Sequence, residues 1–153
     1  FRAGTGSAMY YLWHAKEIGA SPDGRRNGEP FGTNYSPSLL ARINGPFSVV
    51  QSFTKPNLRE TINGGPLTME FSASVFQGSD SVHKIAMLVK TFIDMGGHQM
   101  QLNAVNTETL LDAQKHPEKY KHLVVRVAGY SALFTTLSRS LQDDIIRRTE
   151  QGF

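Results

Sequence analysis

The chain has 153 residues, about one ordinary domain and long enough to bury a core. Charged residues make up 19% of it, against roughly a quarter in a typical soluble domain, so surface that a lone domain would expose is expected to be covered by something else. A formal charge of +3 is too small and scattered to argue for nucleic acid or an acidic membrane, and neither a ~20-residue apolar run nor a secretory signal is present, so the expected setting is the cytoplasm.

In chain order, Gly4-Thr5-Gly6 hints at a phosphate loop, but neither a third spaced glycine nor a Lys-Ser/Thr pair follows. Ala8 to His14 is aromatic-rich and reads as a strand, with a helix left open because the apolar run continues into Ala15. His14, beside Trp13, fits a hydrogen-bonded structural histidine better than a proton carrier. Glu17 to Pro37 is dense in Gly, Pro, Asn, Asp and Ser and reads as a long loop, with a turn at Pro22-Asp23-Gly24. Within it, Arg25-Arg26 and Glu29 fit a salt-bridged loop that pins two segments better than an anion clamp. Pro37 to Arg42 is a short helix candidate, Gly45-Pro46 breaks it, and Phe47 to Phe53 is expected as a strand.

Asn63-Gly64-Gly65-Pro66 marks a turn. The alternation that follows puts Leu67, Met69 and Phe71 on one face of a half-buried strand and leaves Glu70 solvated on the other. Ser79-Asp80-Ser81 offers helix caps; Val82, Ile85, Ala86, Val89, Phe92 and Ile93 recur at helical spacing, and Gly96-Gly97 ends the helix. From His98 to Val105 the pattern alternates again, with Gln99, Gln101 and Asn103 forming a polar row suited to a pocket or a neighbouring subunit. Thr107 is expected to cap a helix through Gln114, and His116 and His122 are expected at the surface around Pro117. The alternation of strands and helices predicts an α/β class with parallel strands and crossover helices.

Leu123 to Val127 reads as a strand leading to Gly129, and Leu133-Phe134 returns the chain to the interior. In the last helix, Ser140 and Asp143 resemble a capping box. Leu141, Ile145 and Ile146 form its buried stripe, and Arg147 and Arg148 complement its dipole. Gly129 is flanked only by larger residues. It can supply a backbone angle other residues resist, or admit another backbone closely. A chemical option also exists. Loss of one Cα hydrogen from glycine leaves a radical that flattens and delocalises between the flanking amide and carbonyl, a geometry a Cβ would oppose.

The run Arg126-Val127-Ala128-Gly129-Tyr130-Ser131 resembles the radical loop of the glycyl radical enzymes. Phe134-Thr135-Thr136-Leu137, Gln142-Asp143-Asp144-Ile145-Ile146 and Arg148-Thr149-Glu150 fit the C-terminus of that family. Asn103-Ala104-Val105-Asn106 and Pro22-Asp23-Gly24-Arg25-Arg26 with Gly28-Glu29-Pro30 extend the likeness over nearly the whole chain. The resemblance implies the C-terminal portion of a ten-stranded β/α barrel. Residues 1–122 would be an incomplete barrel segment, and 123–153 the radical loop and terminal helix. It implies that Gly129 stores the radical and that Arg126, Val127, Ala128, Tyr130 and Ser131 form the loop an activating enzyme recognises. Arg126 would serve as a handle for that enzyme, as the partner of an internal carboxylate, or as both.

By the same resemblance, no cofactor or metal is bound by this chain. A separate activating enzyme with S-adenosylmethionine and a 4Fe–4S cluster installs the radical. In the family the radical then passes to a cysteine on a separate loop, N-terminal to this region, and the resulting thiyl attacks substrate. This sequence contains no cysteine and begins with Phe1. The expectation is therefore a processed, truncated or partial chain, inactive alone. Its expected partners are the activating enzyme, the cysteine-bearing N-terminal part, and a second copy in a homodimer of the full enzyme. Ala128 and Ser131 depart from the pattern of pyruvate formate-lyase. They lie nearer the branch of diol dehydratases, choline-type C–N lyases, arylacetate decarboxylases and hydrocarbon-adding synthases. The Phe134-Thr135-Thr136-Leu137 tail leans toward an arylacetate-type decarboxylase. The alternative is an autonomous repair subunit that docks on a damaged glycyl radical enzyme; a plain α/β binding module in which Gly129 only permits a turn is a third reading.

Overall fold

Alternating apolar residues and one long helix build the centre of the molecule. The computed structural model describes residues 9–148, so Gly4-Thr5-Gly6 and Thr149-Glu150 lie outside the described residues. Strand β1 (Pro66–Ser72) and strand β2 (Gln99–Val105) pair in parallel, with Leu67 opposite Met100, Met69 opposite Leu102 and Phe71 opposite Ala104. The crossover between them is helix α3 (Ser81–Asp94), as the alternating order predicts. Gly96 adopts φ +81° just past its end, and the Gly97 amide donates to the Phe92 carbonyl at 2.9 Å, so the paired glycines close the helix as expected. The turn before β1 is also present, with Gly64 at φ +91°.

The expected strand at Phe47 to Phe53 is instead helix α2 (Gly45–Phe53). Proline in the first helical turn lacks only an amide that would be unpaired anyway, so Gly45-Pro46 starts the element rather than breaking one. Its buried residues, Pro46, Val49, Val50 and Phe53, are spaced as one helical face. The short helix expected at Pro37 to Arg42 is absent; the chain only turns at Leu39–Leu40, whose side chains are exposed and offer no buried face to hold a helix. The aromatic run near the start forms helix α1 (Tyr10–Trp13) and a 3₁₀ turn at His14–Lys16, not a strand. Tyr11, Leu12 and Ala15 face inward while His14 is exposed, 3.3 Å from Glu17.

The long loop is present, but it is not pinned by a salt bridge. The buried Arg25 guanidinium donates to the carbonyls of Glu29 at 2.8 Å, Arg26 and Ile18 at 3.3 Å, and Gly19, and its Nε donates to Ser21 Oγ at 3.1 Å. It also lies over the Phe31 ring, 4.2 Å from the centroid. The Glu29 carboxylate accepts from the Arg26 backbone amide at 2.8 Å instead. Five fixed donors on one side chain suit a loop rich in unpaired carbonyls.

Helix α4 (Thr107–Lys115) is capped by Asn106, one residue earlier than expected; Asn106 Oδ1 accepts from the Thr109 amide at 3.2 Å. Strands β3 (Val124–Arg126) and β4 (Ser131–Leu133) then form an antiparallel hairpin, followed by helix α5 (Arg139–Arg147). Ser138, not Ser140, occupies the N-cap of α5, and the capping box is not formed. Asp143 accepts from Gln114 Nε2 at 2.8 Å and pairs with Arg139 at 3.3 Å.

Two apolar cores result. One gathers Val49, Val50, Phe53, Leu67, Met69, Phe71, Leu88 and Phe92 from α2, β1 and α3. The other gathers Tyr11, Leu110, Val125, Val127, Phe134, Leu141 and Ile145 from α1, α4, the hairpin and α5. β1 is buried on both faces, because Thr68 and Glu70 are buried as well as Leu67, Met69 and Phe71. The half-buried reading of that strand is corrected: α2 and α3 pack on one face, and Thr68 and Glu70 on the other lie against Ser36, Asn103 and the end of α5, so neither face is solvated.

Candidate functional site

The hairpin is built by a two-residue period. Val125 and Val127 point into the second core, while Val124 and Arg126 are exposed. Arg126 lies opposite Ser131, and beyond them the Val127 amide donates to the Tyr130 carbonyl at 2.8 Å, closing a turn with Ala128 and Gly129 at its tip. Gly129 has φ +75°, a left-handed conformation that glycine adopts without penalty. It is exposed, and a Cβ built on it would meet nothing within 4 Å. Close packing among the described residues therefore does not explain the glycine; backbone angle does, and no neighbour in this segment shields its Cα.

The residues expected around it are brought together at this tip. Ala128 is half-buried, and Tyr130 is partly exposed with its hydroxyl 3.9 Å from Met9 Sδ. Arg126 donates through Nη1 to Ser131 Oγ and through Nε to Gln101 Oε1, each at 3.2 Å, so its partners here are neutral rather than a carboxylate. The polar row of β2 thus reaches the hairpin. Asn103 lines an open cleft of about 520 Å³ with Val124, Val125, Arg126 and Ser131.

Three residues beneath the hairpin were not foreseen as a group. Arg148 Nη1 donates to the Val127 carbonyl at 2.9 Å. Its Nε and Nη2 both bond Asp144 Oδ2, the former at 2.8 Å, and Nη2 also donates to the Tyr11 hydroxyl at 2.5 Å. The Tyr11 hydroxyl in turn donates to Asp144 Oδ2 at 3.0 Å. Burial holds the Tyr11 hydroxyl well above its ordinary pKa, although the Arg148 charge works the other way, so it remains a donor. Asp144 and Arg148 stand four apart on a helix, a spacing that signals an ion pair; Tyr11, 133 residues from Asp144, carries no such signal.

Glu70, expected in solvent, is 3% exposed. One carboxyl oxygen accepts from Asn103 Nδ2 at 2.9 Å, and Oε2 has no hydrogen-bond partner among the described residues. Burial raises its pKa, partly offset by the Asn103 bond. With Thr68, Ser36, Asp144 and Arg148 it lines a cavity of about 200 Å³.

Residues 31–135, which include the hairpin tip, match the family model described as "Glycine radical". Trans-4-hydroxy-L-proline dehydratase of Clostridioides difficile is 43% identical over 143 residues, covering 94% of this chain and 18% of the relative. Indoleacetate decarboxylase of Tractidigestivibacter scatoligenes is 35% identical over 138 residues, covering 90% and 16%. Among solved structures, the glycerol-bound B12-independent glycerol dehydratase of Clostridium butyricum superposes with a TM-score of 0.95 at 36% identity, covering 100% of this chain and 20% of that one. The chain thus spans less than a fifth of the length of these curated relatives. Their names are those of lyases acting on small molecules, and the repair-subunit alternative finds no support among them.

Proposed function

The chain belongs to the glycyl radical enzyme family, and we propose that it is the radical-bearing part of an anaerobic lyase, with the radical stored on Gly129. The observation that carries this reading is the tip geometry. A glycine with a left-handed backbone sits at the end of a closed two-residue turn, with open space where a side chain would be. One Cα hydrogen can be taken by an approaching group, and the remaining Cα flattens without straining a Cβ. In this reading residues 123–153 hold the radical loop and terminal helix, and residues 1–122 form a segment of the surrounding barrel. The Arg126–Ser131 loop leaves the barrel to meet an activating enzyme that uses S-adenosylmethionine and a 4Fe–4S cluster, and returns afterwards. The stored radical leaves by accepting a hydrogen atom from a thiol: the glycine is restored and a thiyl is formed. With no cysteine in this sequence, that thiol belongs to another part of the enzyme, which works in the cytoplasm as a homodimer.

The lean toward an arylacetate-type decarboxylase rested on Phe134-Thr135-Thr136-Leu137. Phe134 is a core residue, and Thr136 Oγ1 donates to the Leu133 carbonyl at 2.9 Å, so these residues have local structural duties. Identity of 43% to a dehydratase and 41% to an isethionate sulfite-lyase, against 35% to a decarboxylase, supports an elimination over a decarboxylation as the reaction of the whole enzyme. The test of the site is oxygen. The activated full-length enzyme, exposed to air, is expected to lose a C-terminal piece beginning near Tyr130, detected by mass spectrometry. Gly129→Ala abolishes the cut, and Gly152→Ala leaves it unchanged; cleavage that persists in Gly129→Ala sinks the assignment.

A further inference from the structure

We propose that Arg148 is a positioning residue that latches the Gly129 hairpin onto α5 and sets how readily the hairpin leaves its seat. The inference rests on the proposed reading of Gly129, in which the hairpin moves between the barrel and the activating enzyme. The hairpin itself is slight: its ladder has three residue pairs, and its tip closes on the single Val127–Tyr130 bond. Around the tip, Arg126 makes its two bonds at an exposed position, and the Tyr130 hydroxyl makes, among the described residues, only a long contact to Met9 sulfur. By contrast, Arg148 Nη1 reaches the Val127 carbonyl, two residues from Gly129, from a side chain that is 11% exposed.

The rest of the guanidinium explains why that donor is aimed so firmly. Asp144, 4% exposed, takes Nε and Nη2, and the Tyr11 hydroxyl takes Nη2 while donating back to Asp144. The Arg148 guanidinium also lies against the Tyr11 ring, 5.5 Å from its centroid. Two elements distant in sequence, α1 and α5, thereby fix a planar fork whose remaining donor points at the hairpin. The Asp144–Arg148–Tyr11 cluster is complete without Val127. It therefore stays assembled when the hairpin departs and presents the same donor when it returns. A single charge-assisted bond to a backbone carbonyl can be broken and remade repeatedly, and it requires nothing of the Val127 side chain.

The test uses the full-length polypeptide that contains this segment. Removing Arg148 alone would strand a buried Asp144 charge, so the main variant is Asp144→Asn with Arg148→Met, which removes the pair without leaving a buried ion. Hydrogen exchange of residues 124–133 is expected to quicken by about tenfold, with α4 and β1 unchanged. Arg148→Lys is expected to restore part of the protection, and Tyr11→Phe to give an intermediate effect. Arg139→Ala, which removes an exposed pair on the same helix, is expected to leave exchange as it was. After activation, the double variant is expected to acquire its radical several-fold faster and to turn over more slowly per radical. Unchanged exchange in 124–133, or loss of protection spread evenly over α4, α5 and β1, overturns the latch. Absence of any radical in the unmodified enzyme overturns the Gly129 reading instead, while the exchange data still judge the latch.

Discussion

At the residue scale, the strained positions separate geometry from chemistry. An added Cβ at φ +75° costs roughly 1 kcal/mol, and at Gly129 it meets no neighbour within 4 Å. Gly64, at φ +91° and equally open, is the matched control. Gly129→Ala and Gly64→Ala are expected to show similar small losses of local protection by hydrogen exchange, yet only Gly129→Ala loses the radical. Equal loss of the radical in both would mean that backbone strain alone is at work. Glu70 gives a pH test. Its folded carboxyl holds its proton more tightly than the unfolded one, so the folded state binds more protons. The contribution of Glu70 to stability is then greatest in acid and declines as pH rises past the ordinary carboxylate value of about 4.5, until the raised folded value is passed. Opening of the β1–β2 pair, measured by hydrogen exchange corrected for intrinsic rates, is expected to become easier over that range, and Glu70→Gln to flatten the dependence. The glycine was legible in the sequence because its neighbours form a contiguous pattern. Glu70 was misread because alternation reports two faces and says nothing of what covers the second. Of the Tyr11–Asp144–Arg148 cluster only the Asp144–Arg148 pair is signalled by spacing; Tyr11 was invisible because it joins them only after folding.

At the scale of elements, signals spread over many residues were read correctly and short ones were not. α3 and the parallel β1–β2 pair followed from sustained periodicity. α2 did not, because the seven residues from Phe47 to Phe53 are short enough to fit a buried strand or a helix, and Gly-Pro serves equally as stop and start. β4 was missed since three residues carry no period. The junction between hairpin and α5 is held by Gln142, whose Nε2 donates to the Phe134 carbonyl at 2.9 Å and the Leu137 carbonyl at 3.2 Å. Gln142→Ala leaves both without that donor at a buried site, at a cost of about 1–3 kcal/mol. Faster exchange confined to 131–147 is the expected result, and wild-type protection there would show the bonds to be dispensable.

At the scale of the whole molecule, the six apolar positions that recur at helical spacing on α3 divide between two faces. Phe92 is buried and Ile85 and Val89 are partly so, but Val82 is 81% exposed, Ile93 is 64% exposed, and Ala86 is exposed beside them. Val82, Ala86, Val89 and Ile93 recur every three or four residues, an outer face as regular as the inner one. That face, with the low charge fraction, is why the isolated 153-residue chain is expected to be poorly soluble or to melt broadly; a sharp, reversible two-state transition would contradict this. The isolated chain is also expected to turn over no substrate after activation, for want of a thiol. The central claim, that Gly129 carries the radical, is tested most directly by electron paramagnetic resonance. Activated without oxygen, the full-length enzyme should give a carbon-centred doublet, split by the one hydrogen left on the Cα. Glycine deuterated at that carbon should collapse the splitting, and Gly129→Ala should remove the signal. A doublet that survives Gly129→Ala, or a splitting untouched by deuterated glycine, would place the radical elsewhere.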